Sequence, residues 1–297
     1  MLTPRAGVVV AAVASTIAAL TTAASAVESP AGPVATGYGG GVSTVDVHAS
    51  RDALEVLRAG GNAVDAAVAA AATLGVTEPY SAGIGGGGFF VYFQAGTGRV
   101  LTLDGRETAP QAMDSTAFID PATGQPVPFA EAVTSGLSVG VPGTPATWAQ
   151  ALDRWGTISL AQALQPAIRT ADRGFPVDET FHKQTADNAA RFAHFSSTAA
   201  LFLPGGQPPE IGSTFRNPEV AETYRQIADH GVNWLYRGRL AHEIVDTVHH
   251  PPLIPGDSYN ARPGLLEVSD LTAYQPIPRD PTHTRYQGLD VYGMGPP

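Results

Sequence analysis

Between residues 63 and 103 the chain passes from an alanine-dominated segment to a glycine run and then to two apolar strands, an order that few folds accommodate. Ala63 to Leu74 carries alanine at most positions and few bulky side chains. A helix of that kind lets a sheet or another helix approach closely, so it is expected to be buried rather than amphipathic. Asn62 is placed to cap it, with Asp65 in its first turn and Gly75 at its end. Gly83-Ile84-Gly85-Gly86-Gly87-Gly88 follows. Phe89 to Phe93 and Arg99 to Leu103 then read as strands joined by Ala95-Gly96-Thr97-Gly98, a hairpin signal.

Around this centre the patterning gives further elements. Gly41 to Val47 alternates well enough to predict a strand. Ser50 then caps a helix that turns Leu54 and Leu57 inward and ends at Gly60-Gly61. Helical periodicity predicts Pro145 to Trp155, Leu160 to Asp172, Asp178 to Phe192, Pro218 to Asp229 and Leu240 to Val248. A last strand, Leu289 to Tyr292, runs into Gly295-Pro296-Pro297, which reads as a chain cut short. Strands, then helices, then a strand predict a layered α/β or α+β domain.

At 297 residues, 43% hydrophobic and 15% charged, the chain has ample material for a core. A formal charge of −10 argues against a nucleic-acid surface, which needs a basic stripe. With no cysteine there is no disulfide framework, thiolate metal site or cysteine nucleophile. Residues 1–26 have the layout of an export signal: Arg5, an apolar stretch from Val8 to Ala23, and Ala24-Ser25-Ala26 as a cleavage site. The expectation is a secreted protein, extracellular or periplasmic, with 27–36 a flexible lead-in. An uncleaved membrane anchor is the competing reading.

Three motifs invite chemistry and are weighed against plainer roles. Gly83, Gly85 and Gly88 satisfy G-x-G-x-x-G, but that fingerprint must follow a strand and open a helix, and here the order is reversed. Tight turning, or a glycine backbone lining a substrate pocket, fits better. Gly136-Leu137-Ser138-Val139-Gly140 matches the hydrolase nucleophile elbow, which needs a helix directly after the serine. Pro142 disfavours one, so Ser138 reads as a loop serine, with His182, His194 and His242 unmarked by any local motif. His242, Asp246 and His249 share a helix face at i, i+4 and i+7, yet H-E-x-x-H fails because Asp246 stands at the second histidine position. A solvated helix end is the simpler reading.

Arg106, in Asp104-Gly105-Arg106-Glu107-Thr108-Ala109-Pro110, follows the second strand of the hairpin. A guanidinium held there can grip a planar carboxylate through two parallel hydrogen bonds, which lysine cannot do. An ion pair with Asp104 or Glu107 is its plainer role.

These runs, in this order, resemble the large subunit of γ-glutamyltransferases (γ-glutamyltranspeptidases, glutathione hydrolases). Gly60-Gly61-Asn62-Ala63-Val64-Asp65-Ala66-Ala67, Gly85 to Phe89, Asp104 to Pro110, Pro142-Gly143-Thr144 and Tyr292 to Pro297 carry the resemblance, which covers residues 37–297. It implies an α+β fold, the αββα four-layer sandwich of N-terminal-nucleophile hydrolases, with only the large-subunit part present. It implies self-cleavage of a precursor, attack on a γ-glutamyl amide by the small subunit's N-terminal threonine, and passage of the glutamyl group to water or to amino-acid or peptide acceptors. By this resemblance Arg106 takes the α-carboxylate of glutathione and other γ-glutamyl compounds, and Glu107 orients it. No cofactor or metal is implied. In many members an aromatic precedes the arginine, so Gly105 is expected to loosen the local packing. The family's threonine motif does not occur in this sequence, so the chain alone, without the missing small subunit, is expected to be inactive and aggregation-prone. A related amidohydrolase such as a cephalosporin acylase, or a non-enzymatic secreted glutamyl-binding relic, is the alternative.

Overall fold

The computed structural model describes residues 35–297. The export signal and most of the lead-in lie outside the described residues. Residues 40–297 form one compact unit, of mixed helix and antiparallel strand, as an α+β fold requires.

Its first helix, α1 (Val47–Arg58), begins where a strand was expected. Alternation at 41–47 finds no partner strand, and Asp46 rather than Ser50 caps the helix by accepting from the Ala49 amide. Its buried face is Ala49, Ala53 and Val56, leaving Leu54 and Leu57 only half-buried. Small side chains win that face because α2 (Ala63–Thr77) packs directly against it, Ala66, Ala69 and Ala70 meeting Ala53 and Val56.

Asn62 and Asp65 cap α2 reciprocally, a capping box. The helix is buried almost all round, as its alanine content predicts, but it runs through Gly75 to Thr77. Gly75 is there for clearance: a Cβ would lie 2.5 Å from the Tyr224 hydroxyl, which donates to the Ala72 carbonyl. A short α3 (Pro79–Ala82) leads into the glycine turn.

Strands β1 (Gly88–Gln94) and β2 (Arg99–Gly105) form the expected hairpin, Gly88 opposite Gly105. Phe90 and Tyr92 pack on Trp155, while Phe89, Val91 and Phe93, on the other face, stay 43–61% exposed. Helices α4 (Phe129–Val133), α5 (Thr144–Trp155) and α6 (Leu160–Arg173) follow. Beyond them come β3 (Phe175–Pro176), α7 (Glu179–Phe192), α8 (Ser196–Phe202), β4 (Thr214–Phe215) and α9 (Pro218–His230). The main core lies among α2, α5, α6 and α9, with Trp148 edge-on to Tyr224.

The chain then turns through α10 (Asn233–Tyr236), α11 (Arg239–His249) and α12 (Val268–Ala273) back to the hairpin. There β5 (Ile277–Arg279) adds antiparallel to β2, giving the order β1-β2-β5. A separate ribbon of β6 (Thr282–Tyr286) and β7 (Leu289–Gly293) turns at Gln287 and Gly288, both with positive φ as a type I′ turn needs. Among the described residues no helix is long and apolar enough to cross a membrane.

Candidate carboxylate-binding site

Arg106 leaves the sheet at the C-terminal end of β2, beside the glycine turn. The Gly86 amide donates to the Gly83 carbonyl, closing the turn, and the Gly86 carbonyl accepts from the Gly143 and Thr144 amides at the start of α5. This stacks three chain segments with no room for side chains. A Cβ on Gly87 would lie 2.5 Å from the Gly105 carbonyl and 2.9 Å from a Glu107 carboxylate oxygen. Gly105 is itself buried, and a Cβ there would run into the Thr147 hydroxyl. The packing at Gly105 is therefore tight, not loosened. The glycines serve close approach rather than phosphate binding, since β1 follows the turn where a nucleotide fold would place a helix.

Glu107 and Arg106 form an ion pair, Nε to Oε2 at 3.1 Å, with the arginine side chain 53% exposed. Among the described residues the Nη1 and Nη2 groups have no hydrogen-bond partner, so the outer edge of the guanidinium is open. It faces a cavity of about 540 Å³ lined by Gly85, Arg106 to Pro110, Met113, Phe118 and Leu137 to Gly140. Engaging Nε while leaving the two terminal nitrogens free orients the fork for a planar anion.

Sequence reasoning missed what holds the arginine's backbone. Its amide donates to Asp104 Oδ1 at 3.1 Å, and its carbonyl accepts from the Tyr274 hydroxyl at 2.8 Å. Asp104 is 6% exposed, and its other oxygen accepts from Arg279 Nε at 2.7 Å. Thus the expected partnership of Arg106 with Asp104 runs through the backbone, and the ion-pair partner of Asp104 is Arg279. Burial, then the charges of Asp104 and Glu107, push the Tyr274 hydroxyl up to about 12, so it stays a donor at neutral pH. Composition alone carries no sign of Tyr274, 168 residues beyond Arg106, or of Arg279, 175 residues beyond Asp104.

The other candidates do not assemble. Ser138 ends a 3₁₀ turn, Gly136–Ser138, and its hydroxyl donates to the Ser135 carbonyl at 3.1 Å. No helix follows directly, so there is no elbow. His182 Nδ1 is bonded to the Pro209 carbonyl and His194 Nδ1 to Asp257, while His242 sits exposed on α11. Asp246 pairs with His250 and His249 with Glu267, so the three α11 residues do not converge. A larger cleft, about 940 Å³ beside α4 and α7, contains Arg262, but both Asp120 and Glu131 already occupy that guanidinium.

The geometry agrees with relatedness to known proteins. The sequence model of the gamma-glutamyltranspeptidase family matches residues 49–297. The glutathione hydrolase proenzyme of Bacillus subtilis (strain 168) is 38% identical over 263 residues, 88% of this chain and 42% of the relative. The acylase ACY 1 proenzyme of Pseudomonas sp. (strain V22) is 36% identical over 267 residues, 89% of this chain and 46% of the relative. The chain thus spans less than half the length of these curated relatives. The crystal structure of Helicobacter pylori gamma-glutamyltranspeptidase superposes with a TM-score of 0.81 at 31% identity, covering 89% of this chain and 72% of that one. With the family model matched over residues 49–297 and the fold shared with a solved member, the chain belongs to the gamma-glutamyltranspeptidase family.

Proposed function

We propose that residues 37–297 supply the glutamyl-binding part of a γ-glutamyltransferase or glutathione hydrolase, acting on glutathione and other γ-glutamyl amides. Arg106 receives the substrate α-carboxylate on its free nitrogens, and Glu107 fixes the guanidinium plane through Nε. A small-subunit threonine is the nucleophile, with its own α-amine as base, and the acyl group then passes to water or to amino-acid or peptide acceptors. Export through residues 1–26 places this chemistry outside the cytoplasm. The observation that carries the reading is the Arg106 fork, oriented by the 3.1 Å ion pair and open to a cavity of about 540 Å³.

A second reading, an acylase acting on a different amide, is favoured by the similarity to the acylase ACY 1 proenzyme. A carboxylate held at Arg106 suits either, so the leaving group separates them. The test is turnover of γ-glutamyl-p-nitroanilide and of a glutaryl or cephalosporin amide by the product of the complete reading frame, beside residues 1–297 alone. Preference for the γ-glutamyl donor by the complete product, with none by residues 1–297, is the expected result. Preference for the other amide supports the acylase. Turnover by residues 1–297 alone contradicts the assignment of the nucleophile, and saturable glutamate binding without turnover in either supports a binding protein.

A further inference from the structure

The backbone of Arg106 is held at its carbonyl by Tyr274 and at its amide by Asp104, which Arg279 holds in turn. We propose that Tyr274 and Arg279 are positioning residues for the carboxylate-binding arginine: Tyr274 holds its carbonyl directly, and Arg279 holds its amide through Asp104. The inference rests on the reading of Arg106 as the α-carboxylate site.

Geometry carries it. Asp104 uses one oxygen on the Arg106 amide and the other on Arg279 Nε, so Arg279 fixes the carboxylate plane that the amide reads. Arg279 is anchored in turn by register, since it stands opposite Thr102 in the β2–β5 pairing and its carbonyl accepts from the Thr102 hydroxyl at 2.6 Å. Tyr274 approaches from the other side, its ring stacked on Tyr236 at 5.9 Å and 8°. Tyr236 donates to the Pro142 carbonyl at 2.6 Å, next to Gly143, the residue whose amide meets the glycine turn. A Cβ on Gly143 would collide with both the Gly105 carbonyl and the Tyr274 hydroxyl, so the two halves of the clamp share one packed point.

An arginine at a strand end has four rotatable side-chain bonds, and its free fork is useful only if the main chain beneath it is fixed. Glu107 orients the guanidinium but not the backbone. Tyr274 and the Asp104–Arg279 pair supply that second constraint. Neither Tyr274 nor Arg279 lines the cavity itself, so each acts on the substrate only through Arg106.

The test uses two donors, γ-glutamyl-p-nitroanilide and the 4-aminobutyryl anilide that lacks the α-carboxylate, with the product of the complete reading frame. Tyr274→Phe keeps the stacked ring and removes one hydroxyl. It is expected to raise KM for the glutamyl donor about tenfold with kcat within about twofold, and to leave the 4-aminobutyryl donor unchanged. Arg279→Ala should act the same way, with Arg279→Lys recovering part of the loss; Lys also serves if Ala does not fold. Equal loss on both donors, or no loss on either, overturns the proposal. Arg106→Ala is run in parallel. If it discriminates between the donors and Tyr274→Phe does not, the positioning role alone fails. If Arg106→Ala also falls equally on both, the carboxylate reading fails beneath it.

Discussion

Two buried aspartates organise the molecule in opposite ways. Asp65, fully buried, accepts from the Asn62, Thr157 and Ile158 amides and from the Thr157 hydroxyl. Those hydrogen bonds tie the start of α2 to the loop before α6 and end there. Asp104 also lies buried, but it spends its oxygens on an arginine amide and on another arginine side chain, and the residue it supports keeps an open guanidinium fork. A closed carboxylate stabilises a fold; on the proposed function, a carboxylate that props an open guanidinium prepares a site. The same residue type, equally buried, differs in whether the last donor in its network has somewhere to go.

The sharpest way to break that contrast is Arg106→Ala. Loss of a bidentate charge-assisted contact should lower kcat/KM for γ-glutamyl-p-nitroanilide about 100- to 1,000-fold. Because the side chain is half exposed, the melting temperature should stay within about 2 °C. A large fall in melting temperature would make Arg106 structural and erase the distinction.

Asp65→Asn should show the reverse, costing about 2–3 kcal/mol of stability, read by urea unfolding, with the folded fraction keeping its donor KM. Its pH dependence has a definite sign. Burial pushes the Asp65 carboxyl up, but the hydrogen bonds from Thr157, Asn62 and Ile158 outweigh it, and the folded pKa lies below the ordinary value. The carboxylate therefore contributes fully above the unfolded value, about 3.9, and the gap between wild type and Asp65→Asn narrows as pH falls through the folded value. A gap that stays constant down to about pH 2 would contradict this account.

Gly143→Ala tests where the two regimes meet. Overpacking against the Gly105 carbonyl and Tyr274 hydroxyl should cost about 1–3 kcal/mol and raise donor KM together. A change in only one of the two would separate packing from positioning. Ser138→Ala is the smallest case. It removes the hydroxyl bonds to the Ser135 and Val133 carbonyls, so stability should change by less than about 1 kcal/mol and kcat/KM by less than about twofold.

The local grammar of the sequence was readable where one segment decides the outcome. Asn62 marks the start of α2, with Asp65 in its first turn, and the β1–β2 hairpin and α5, α6, α7, α9 and α11 follow from periodicity because each buries a face defined within its own segment. Residues 41–47 misled because alternation describes a strand only if a partner is present. The inward face of α1 is only partly the expected one: Leu57 packs at the edge of the cluster, but close approach to an alanine helix gives the fully buried positions to Ala49 and Ala53. Arg106 and Glu107, the residues of the proposed carboxylate site, are reached through family resemblance. Tyr274 and Arg279 are not, since a contact across some 170 residues leaves no mark on either segment.

The most direct measurement is a crystal structure of the protein with L-glutamate bound. The account predicts the α-carboxylate in paired contact with Arg106 Nη1 and Nη2, with Glu107 still on Nε and the Tyr274 and Asp104 hydrogen bonds to the Arg106 backbone intact. Glutamate seated in the cleft beside Arg262, or at Arg106 through its side-chain carboxylate instead, would contradict it.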